Sequence, residues 1–298
     1  MMLNKRDTIF LSIQGSVDSL AGGSSTFAWN MSRYLKNKGI CTTSSILRAS
    51  HAIVIADKVD LISLRLAKAQ GCFILHRIDE EFVSPADLTP KHKKILKINA
   101  YADFTVFQSE FVKNNVSPYL RSNNWAVIIN GADPEIFRFQ QKVGEYVGHI
   151  TNSVGDKKRL DLLYETIVNY PHETFLLVGN HHKSPLDLLK HPNVKAVGHV
   201  SKTELAKYHQ HMKCLYFPSE CDPCPNTVVE AIISGIPVCY HKIGGTKEIV
   251  KDCGLPLEQL DELLGNLDLF HDRCAMRCDL FFDVVGTKYL DHLQFGCT

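Results

Sequence analysis

Two acidic residues, Asp222 and Glu230, lie eight positions apart across what the pattern predicts to be a loop and the start of a helix. The apolar run 214–217 has the length of a strand, and the prolines that follow it predict a loop. Asn226 or Thr227 fits as the cap of a short helix. Free backbone N–H groups and the helix dipole make such a helix start an anion-binding geometry. The spacing alone is equally consistent with an ordinary strand-loop-helix unit that carries two surface acids.

The elements that would position this loop alternate between strands and helices along the chain. Apolar runs of strand length recur, and most are followed by a polar loop and a stretch with helical periodicity. Such an order predicts parallel sheets whose strands are joined by right-handed crossovers. A length of 298 residues fits two domains. The predicted strands are 9–13, 52–56, 71–75, 104–107, 146–151, 174–178, 194–197, 214–217 and a further strand that begins at Pro237.

The composition is that of an ordinary soluble globular protein. Hydrophobic residues make up 45% of the chain and charged residues 22%, and the formal net charge is +1. This balance gives no bulk attraction to nucleic acid or membranes, so no nucleic-acid partner is expected. No apolar run approaches the ~18 residues of a membrane-spanning helix, and the first run is too short for a signal-peptide core. Peripheral contact with a membrane is left open.

The cysteines and histidines do not predict a metal site. Ten cysteines are scattered along the chain, several of them in apolar strands, which favours reduced thiols in the cytoplasm. Cys221 and Cys224 have the spacing of half a zinc site, but no second pair of ligands follows. His181 and His182 are interpreted as an exposed loop, because no third ligand is evident.

Two further positions lie where ligands gather in open α/β sheets, at the carboxyl ends of strands. Gly22 and Gly23 connect the first strand to a helix, a unit suited to phosphate, although a simple turn also explains a glycine pair. His76 ends the third predicted strand, where a single histidine is more often structural than functional. Arg77 and Asp79 beside it have the right signs for a local ion pair.

The segment from Asp222 to Val238 reads D-P-C-P-N-T-V-V-E-A-I-I-S-G-I-P-V. It closely resembles the acid-x7-acid signature of the retaining glycosyltransferases of family four (glycosyl transferases group 1), which have the glycosyltransferase-B fold. The second acid matches at Glu230, whereas Asp222 stands where the family has a glutamate. Other matching positions are Pro225, Asn226, Ala231, Gly235, Pro237 and Val238.

The resemblance covers most of residues 9 to 293, less sharply outside this segment. It implies an α/β fold of two Rossmann-like domains whose parallel sheets face each other across a cleft. We expect a first, acceptor-side domain at 1–140 and a second, nucleotide-sugar-binding domain at 141–275, with the polar segment 138–145 as the linker. The segment 276–298 resembles the family's terminal helix, which crosses back onto the first domain.

The resemblance also implies roles for individual residues in binding a nucleotide-diphosphate sugar. Glu230 would accept hydrogen bonds from the ribose hydroxyls. Asp222 would hold the transferred sugar and stabilise its oxocarbenium-like charge. Lys158 would stabilise the leaving diphosphate, unless its Lys-Lys-Arg run is only a solvated surface. The arginine that the family commonly has five residues earlier is replaced here by Ser153.

The remaining predicted contacts come from both domains. His76 would touch the donor sugar from the first domain, so that catalysis would depend on closure. Gly22 and Gly23 would approach the donor phosphates or the acceptor. The helix start would supplement Lys158 at the diphosphate. The residues predicted to bind the donor there are Pro225, Asn226 and Thr227.

The predicted function is that of a cytoplasmic, retaining glycosyltransferase that uses a nucleotide-diphosphate sugar, such as a UDP- or GDP-sugar, and no other cofactor. Its acceptor would be a glycan, a lipid or a small molecule. No D-x-D motif stands at a strand end, so an obligatory metal is not expected. An epimerase or phosphorylase of the same fold has no signature here. The alternative is a non-catalytic subunit that only binds the nucleotide sugar, which the changes at Asp222 and Ser153 favour.

Overall fold

The computed structural model describes residues 8–13, 22–82, 88–152, 155–181 and 188–293. Contacts between residues divide the chain into two compact units. The first unit holds the first strand, residues 23–130 and the last helix, and the second unit holds residues 131–281.

The boundary after residue 130 precedes the boundary predicted at 140, and the contacts of Gln140 explain the difference. Its main-chain N–H donates to the Ser234 carbonyl at 3.0 Å, and its side-chain amide donates to the carbonyls of Met212 and Gly235. The side chain is fully buried. The polar segment around Gln140 is therefore bound to the second unit through these hydrogen bonds.

The first unit is a parallel six-stranded sheet with the strand order β2-β1-β3-β4-β5-β6. Its strands and the helices that follow them in the chain are β1 Thr8–Leu11, α1 Gly23–Asn37, β2 Cys41–Thr43, β3 His51–Ile55, α2 Leu61–Ala69, β4 Phe73–Ile78, α3 Pro90–Asn99, β5 Phe104–Phe107, α4 Glu110–Val116 and β6 Trp125–Val127.

The two faces of this sheet belong to two separate cores. On β3, Ile53 and Ile55 pack into one core with α1, whereas Ala52 and Val54 pack into another with α2 and α3. Successive side chains of a strand point to opposite faces, so an unbroken apolar run is what a sheet covered on both sides requires. This is why β3 is apolar from Ala52 to Ile55 instead of alternating between apolar and polar residues.

The second unit is also a parallel six-stranded sheet, in the order β12-β11-β10-β7-β8-β9. The order reverses between β7 and β10, the only two neighbours of this sheet that are not consecutive in the chain. The elements of this unit are β7 Tyr146–Thr151, α5 Leu160–Asn169, β8 Phe175–Gly179, β9 Val194–Val197, α6 Lys202–His209, β10 Met212–Phe217, α7 Asn226–Ile233, β11 Val238–Tyr240, α8 Thr246–Val250, β12 Gly254–Pro256, α9 Leu260–Gly265 and α10 Leu267–Ala275.

The final helix, α11 Phe282–Leu293, packs on α1 of the first unit. The ring of Phe27 lies 6.0 Å from that of Phe282 and 4.9 Å from that of Tyr289. At Gly286 the contact is so close that a Cβ atom would lie 2.7 Å from the ring of Tyr34. The C-terminal helix is thus part of the first unit's core.

The predicted fold class is confirmed, since both units are parallel sheets of Rossmann type flanked by helices. Three strands escaped prediction, β2, β6 and β12, and each has only three residues. Runs this short show no recognisable period. Among the described residues, no helix is long and apolar enough to cross a membrane.

Candidate active site

The loops that follow β7 and β10 meet at the carboxyl edge of the second sheet. Because the strand order reverses between these two strands, a crevice forms there, and in open α/β sheets ligands bind in such a crevice. Lys158 follows β7 and Asp222 follows β10, and Lys158 Nζ lies 3.2 Å from Asp222 Oδ2. The two side chains are 25% and 19% exposed, so both reach solvent. Two of the three predicted catalytic residues therefore form an ion pair.

The main chain around Asp222 is fixed by the loop after β11. Asp222 forms an isolated parallel bridge with Gly244, and the N–H of Gly245 donates to the Asp222 carbonyl at 2.9 Å. Gly244 has a φ of +121°, and a Cβ atom there would lie 2.9 Å from the main-chain N of Asp222. Only glycine fits this position without strain. Cys221, directly before Asp222, adopts a φ of +56°, which is uncommon for a residue with a side chain.

The basic loop after β7 is also tied to this site. The N–H of Glu220 donates to the Lys157 carbonyl at 2.7 Å, so the loops after β7 and β10 are joined through their main chains. Arg159 is paired with Asp161 at 2.8 Å and with Glu220 at 3.4 Å. Hydrogen bonding to Asp161 raises the pKa of the Arg159 guanidinium. Arg159 is thus occupied by acids, whereas the amine of Lys158 points at Asp222.

The start of α7 differs from the prediction in one respect. The cap position is Pro225, with no side-chain cap hydrogen bond, and Asn226 is already the first helical residue. The prediction that Asn226 or Thr227 caps the helix is therefore wrong. The fixed φ of a proline, here −69°, suits the extended residue before a helix, but proline has no side-chain acceptor for the helix N–H groups. The end of α7 is as predicted, with Gly235 in a left-handed conformation beyond it.

Glu230 lies on α7 and forms an ion pair with Lys202, the first residue of α6. The two side chains are 4% and 9% exposed, and Lys202 Nζ donates to Glu230 Oε1. The Lys202 amine also lies 5.5 Å from the centre of the Phe137 ring. The predicted ribose ligand is thus held in place by a buried cation on a neighbouring helix.

A pocket with a volume of about 430 Å³ opens at the carboxyl ends of β8 and β9. Asn180 and His181 line it from the loop after β8, and His199 lines it from the segment after β9. Since β8 is the neighbour of β7, this pocket opens one to two strands along the sheet from β7, the strand that precedes the Lys158 loop.

Two buried histidines pack against each other beside this pocket, and one of them, His181, lines it. His149, on β7, packs edge-on against His181 with 5.2 Å between ring centres. Burial lowers the pKa of His149 to about 3 and that of His181 to about 4, so both rings are neutral at neutral pH. The expectation of an exposed loop is wrong for His181, which is only 3% exposed. His182 lies outside the described residues.

His76, the third predicted catalytic residue, is completely buried within β4 of the first unit, two residues before the strand ends. Its Nε2 lies 2.8 Å from the Ala56 carbonyl, and Asn99 donates to its Nδ1 at 3.1 Å. Burial lowers its pKa to about 4. Both ring nitrogens are therefore engaged within the first unit in this conformation, and the predicted contact with a donor sugar stays a prediction.

Beside His76, the predicted local ion pair is present and buried. Arg77 Nη1 lies 2.8 Å from Asp79 Oδ2, and Ser24 of α1 donates to the same carboxylate oxygen. Gly22 and Gly23 come just before Ser24; Gly22 has a φ of +25° and Gly23 begins α1. Whether they approach a phosphate stays a prediction.

Two further sequence expectations concern a missing arginine and metal ligands. Ser153, at the position of the family's arginine, lies outside the described residues. Neither Cys221 nor Cys224 forms a disulfide. Within the described ranges, no group of three or more His, Cys, Asp or Glu side chains is placed to hold a metal ion.

Two Rossmann-like units with a ligand crevice at the reversal point of the second sheet define the glycosyltransferase-B class of fold. Residues 141–265, less than half of the chain, match the family model of Glycosyl transferases group 1. The resemblance to glycosyl transferases group 1 is confirmed over this segment, which is the core of the second unit, whereas the assignment to family four and its acid-x7-acid signature stays a prediction. No curated protein is significantly similar in sequence to the chain.

Solved structures extend the likeness to the whole chain. Anabaena Alr3699/HepE in complex with UDP has a TM-score of 0.74 at 14% identity, over 97% of this chain and 99% of that one. Sucrose-phosphate synthase from Thermosynechococcus elongatus has a TM-score of 0.73 at 14% identity, over 98% and 100%. A glycosyltransferase from Rickettsia africae has a TM-score of 0.71 at 13% identity, over 98% of each chain. At such identities the likeness shows the fold.

Sequence reasoning missed Lys202 and the pocket at β8 and β9. Lys202 carried one signal, because a lysine in the first turn of a helix opposes the helix dipole and implies a partner that offsets the cost. The pocket carried a weaker signal, a Gly179-Asn180 turn at a strand end. Nothing in the sequence pairs His149 with His181.

Proposed function

We propose that the chain is a retaining glycosyltransferase that moves a sugar from a nucleotide-diphosphate sugar to a glycan, lipid or small-molecule acceptor. The observation that carries the proposal is the Lys158–Asp222 pair at the reversal point of the second sheet. A cation and an acid held together there suit a substrate that is anionic at its phosphates and becomes cationic at its sugar carbon.

The donor is proposed to lie along the carboxyl edge of the second sheet. The pocket at β8 and β9 takes the base, and the neutral ring of His181 in its lining suits an uncharged aromatic group. Glu230 accepts hydrogen bonds from the ribose, with Lys202 fixing its carboxylate. The diphosphate lies between Lys158 and the start of α7, where the cap residue leaves helix N–H groups without a side-chain acceptor. Since HepE was crystallised with UDP, UDP-sugars are the first donors to test.

The chemistry proposed for the pair follows from its geometry. In the unliganded chain Asp222 neutralises the amine of Lys158. A bound diphosphate competes for that amine, so Asp222 becomes free to bind sugar hydroxyls and to face the positive charge that develops at the anomeric carbon. As the glycosidic bond breaks, negative charge grows on the leaving phosphate oxygen, and Lys158 stabilises it. We propose that no metal is required for this step.

Measuring nucleotide release from a panel of nucleotide sugars, with and without EDTA, tests the proposal. We expect turnover of at least one donor, unaffected by EDTA, and a product that keeps the anomeric configuration of the donor. Asp222→Asn should lower kcat by about 100-fold, the usual cost of losing one preorganised electrostatic contact, with a smaller change in KM. Asp268→Asn, an exposed acid on α10, is the matched control and should behave as wild type.

The alternative, a subunit that only binds the nucleotide sugar, gives a different result in the same experiments. It predicts saturable nucleotide binding without turnover of any donor, and equal binding losses for Asp222→Asn and Lys158→Met. That outcome would refute the assignment of catalysis while keeping the binding site. Absence of both binding and turnover would refute the site itself.

We propose the cytosol as the compartment. None of the nine cysteines in the described part of the chain forms a disulfide, which suits a reducing environment.

A further inference from the structure

The first unit contains a buried polar cluster to which the proposed reaction assigns no role. Arg77 Nη1, near the end of β4, lies 2.8 Å from Oδ2 of Asp79, and the two side chains are 0% and 7% exposed. Arg77 Nη2 donates to Asn130 Oδ1 at 3.0 Å, and the Asn130 amide donates to Gln108 Oε1 at 3.1 Å. Ser24 donates to the same Asp79 oxygen. We call these five residues the Arg77 cluster.

The cluster lies at the carboxyl edge of the first sheet, the edge at which ligands bind in open α/β sheets. Asp79 directly follows β4, and Gln108 directly follows the neighbouring strand β5. Asn130 comes shortly after the end of β6, and Ser24 is in the first turn of the 15-residue helix α1. Segments that are distant in sequence therefore bring polar side chains to one place at this edge.

Two atoms of the ion pair have no hydrogen-bond partner among the residues that the structure describes. They are Asp79 Oδ1, which is an acceptor, and Arg77 Nε, which is a donor, and both atoms are buried. The ring of Phe27 covers the Arg77 guanidinium at 4.1 Å and offers no acceptor oxygen. A buried charged group that is partly unsatisfied is costly, and two apolar residues of similar size often hold a fold equally well. The unsatisfied atoms therefore point to a ligand.

The chemistry of the two atoms selects the class of ligand. Asp79 Oδ1 requires a hydrogen-bond donor, and Arg77 Nε requires an acceptor. A hydroxyl group provides both, since it carries one proton and two lone pairs. An ionised carboxylate has no proton to donate to Asp79 and is repelled by it, and an ammonium group has no lone pair for Arg77. A neutral molecule with several hydroxyl groups, such as a sugar, fits both atoms.

We propose that the Arg77 cluster binds the hydroxyl groups of a carbohydrate acceptor, the second substrate of the transfer reaction. This inference rests on the proposed function, in which the nucleotide sugar occupies the second unit and no side chain is assigned to the acceptor. It narrows the acceptor from a glycan, lipid or small molecule to a molecule that presents a sugar. The ion pair stays intact when the sugar binds, because the hydroxyl groups use only the two unsatisfied atoms.

Tryptophan fluorescence tests the proposal without any measurement of activity. Both tryptophans of the chain, Trp29 and Trp125, belong to the first unit, so their emission reports ligands of that unit. Titration of the full chain with glucose, galactose, mannose and N-acetylglucosamine should give a saturable change with at least one of them. Calorimetric titration with UDP measures the donor site separately.

Two variants remove the inferred contacts in different ways. Arg77→Met/Asp79→Leu deletes both unsatisfied atoms, and it should keep its fold because the two partners of a buried pair are replaced together. Asp79→Asn keeps one oxygen for Arg77 and Ser24, but its NH2 group replaces Oδ1 and cannot accept a hydrogen bond. Each variant should bind the sugar at least about tenfold more weakly, since one hydrogen bond to a charged group contributes that factor or more. Each should bind UDP as wild type does.

Matched controls come from both units. Lys68→Met/Asp103→Asn removes an ion pair at the opposite edge of the first sheet, where Asp103 precedes β5, and should leave sugar binding within about twofold of wild type. The new amide retains an acceptor for the Ile74 N–H, which Asp103 binds at 2.8 Å. Lys202→Met/Glu230→Met in the second unit should give the reverse result, with weaker UDP binding and unchanged sugar binding.

The absence of a saturable change with any of these sugars would overturn the proposal, since the hydroxyl group that satisfies the pair would then be that of a buried water molecule. Wild-type sugar affinity in a folded Asp79→Asn or Arg77→Met/Asp79→Leu protein would overturn it too. UDP binding without sugar binding would refute the sugar site alone. Sugar binding without UDP binding would refute the proposed donor site and leave the sugar site standing. Circular dichroism of each variant shows that a loss of binding does not reflect a loss of fold.

Discussion

The buried pair Lys202–Glu230 makes a prediction whose size follows from its burial. With side chains 9% and 4% exposed, removal of either partner leaves a charge inside the second unit with nothing to offset it. Breaking such a pair costs about 3–5 kcal/mol, whereas replacing both partners by apolar residues of similar size is often neutral. Lys202→Met and Glu230→Met should therefore each lower the free energy of unfolding by about 3–5 kcal/mol. The double variant should be close to wild type.

Thermal unfolding of the four proteins at neutral pH provides the measurement. In a unit of this size 1 kcal/mol shifts Tm by about 2–4 °C, so each single variant should melt about 10 °C below wild type. A double-mutant cycle then isolates the interaction of the two side chains. The exposed pair Lys242–Glu258, with side chains 59% and 66% exposed, is the control, and its cycle should give less than about 1 kcal/mol. A similarly small value for Lys202–Glu230 would refute the reasoning.

The double variant also separates stability from donor binding. If Glu230 binds the ribose, Lys202→Met/Glu230→Met should fold normally and yet bind nucleotide at least tenfold more weakly, since one good hydrogen bond to a charged group contributes about 1.5–3 kcal/mol. Calorimetric titration with UDP measures this. Affinity equal to wild type in a stable double variant would show that the pair is structural and that Glu230 is not the ribose ligand. A single Glu230 variant cannot make this distinction, because it is destabilised.

Three further predictions concern single positions. Gly244→Ala should lower Tm, at a cost of about 2 kcal/mol or more, because its Cβ atom would lie 2.9 Å from Asp222 N at a φ of +121°; Gly155→Ala, where the space is open, should not. Gly286→Ala should cost about 1–3 kcal/mol, because its Cβ atom would overlap the ring of Tyr34, and a neutral effect would show that α11 is loosely packed. Burial lowers the pKa of His149 to about 3, so between pH 6.5 and 3 the unfolded chain binds a proton that the folded chain does not. Stability should therefore fall below pH 6.5, by about 2 kcal/mol at pH 5 for this histidine, and urea titrations at pH 7 and 5 should show a smaller loss in His149→Gln. Equal losses in both proteins would contradict this.

The fold could be predicted because both sheets are parallel and buried. Strands covered on both faces are predominantly apolar, and such runs are visible in the sequence. The predicted bounds match the observed ones at β5 and β7, although each of these strands also contains polar residues. The short strand β2 escaped because its residues are mostly exposed at a sheet edge, so no burial pattern shapes its sequence. The site could be predicted from the sequence to the extent that its residues follow the ends of strands. Lys158 and Asp222 each follow a strand, and the alternation of elements implies that strand ends share one edge.

Pairings between side chains could not be predicted in the same way. Lys202 is 28 residues from Glu230, and only the packing of α6 against α7 brings them together. The same holds for His76, which looked available at a strand end but is enclosed by Asn99 of α3 and the Ala56 carbonyl. A position in the sequence fixes the edge of the sheet at which a residue lies, whereas its exposure depends on helices that cross that edge.

The reversal point of the second sheet explains why Asp222 and Lys158 meet although 64 residues separate them. Strands β7 and β10 are neighbours because β8 and β9 lie on the other side of β7. In open α/β sheets the connections that leave two such strands run to opposite faces of the sheet, which leaves a ligand crevice between the strand ends. The bridge between Gly244 and Asp222 fixes the main chain of Asp222 in that crevice. The aspartate side chain, shorter than that of a glutamate, reaches the Lys158 amine from this position. Loss of this bridge should therefore impair the site as strongly as loss of the Asp222 carboxylate, even though Gly244 bears no functional group.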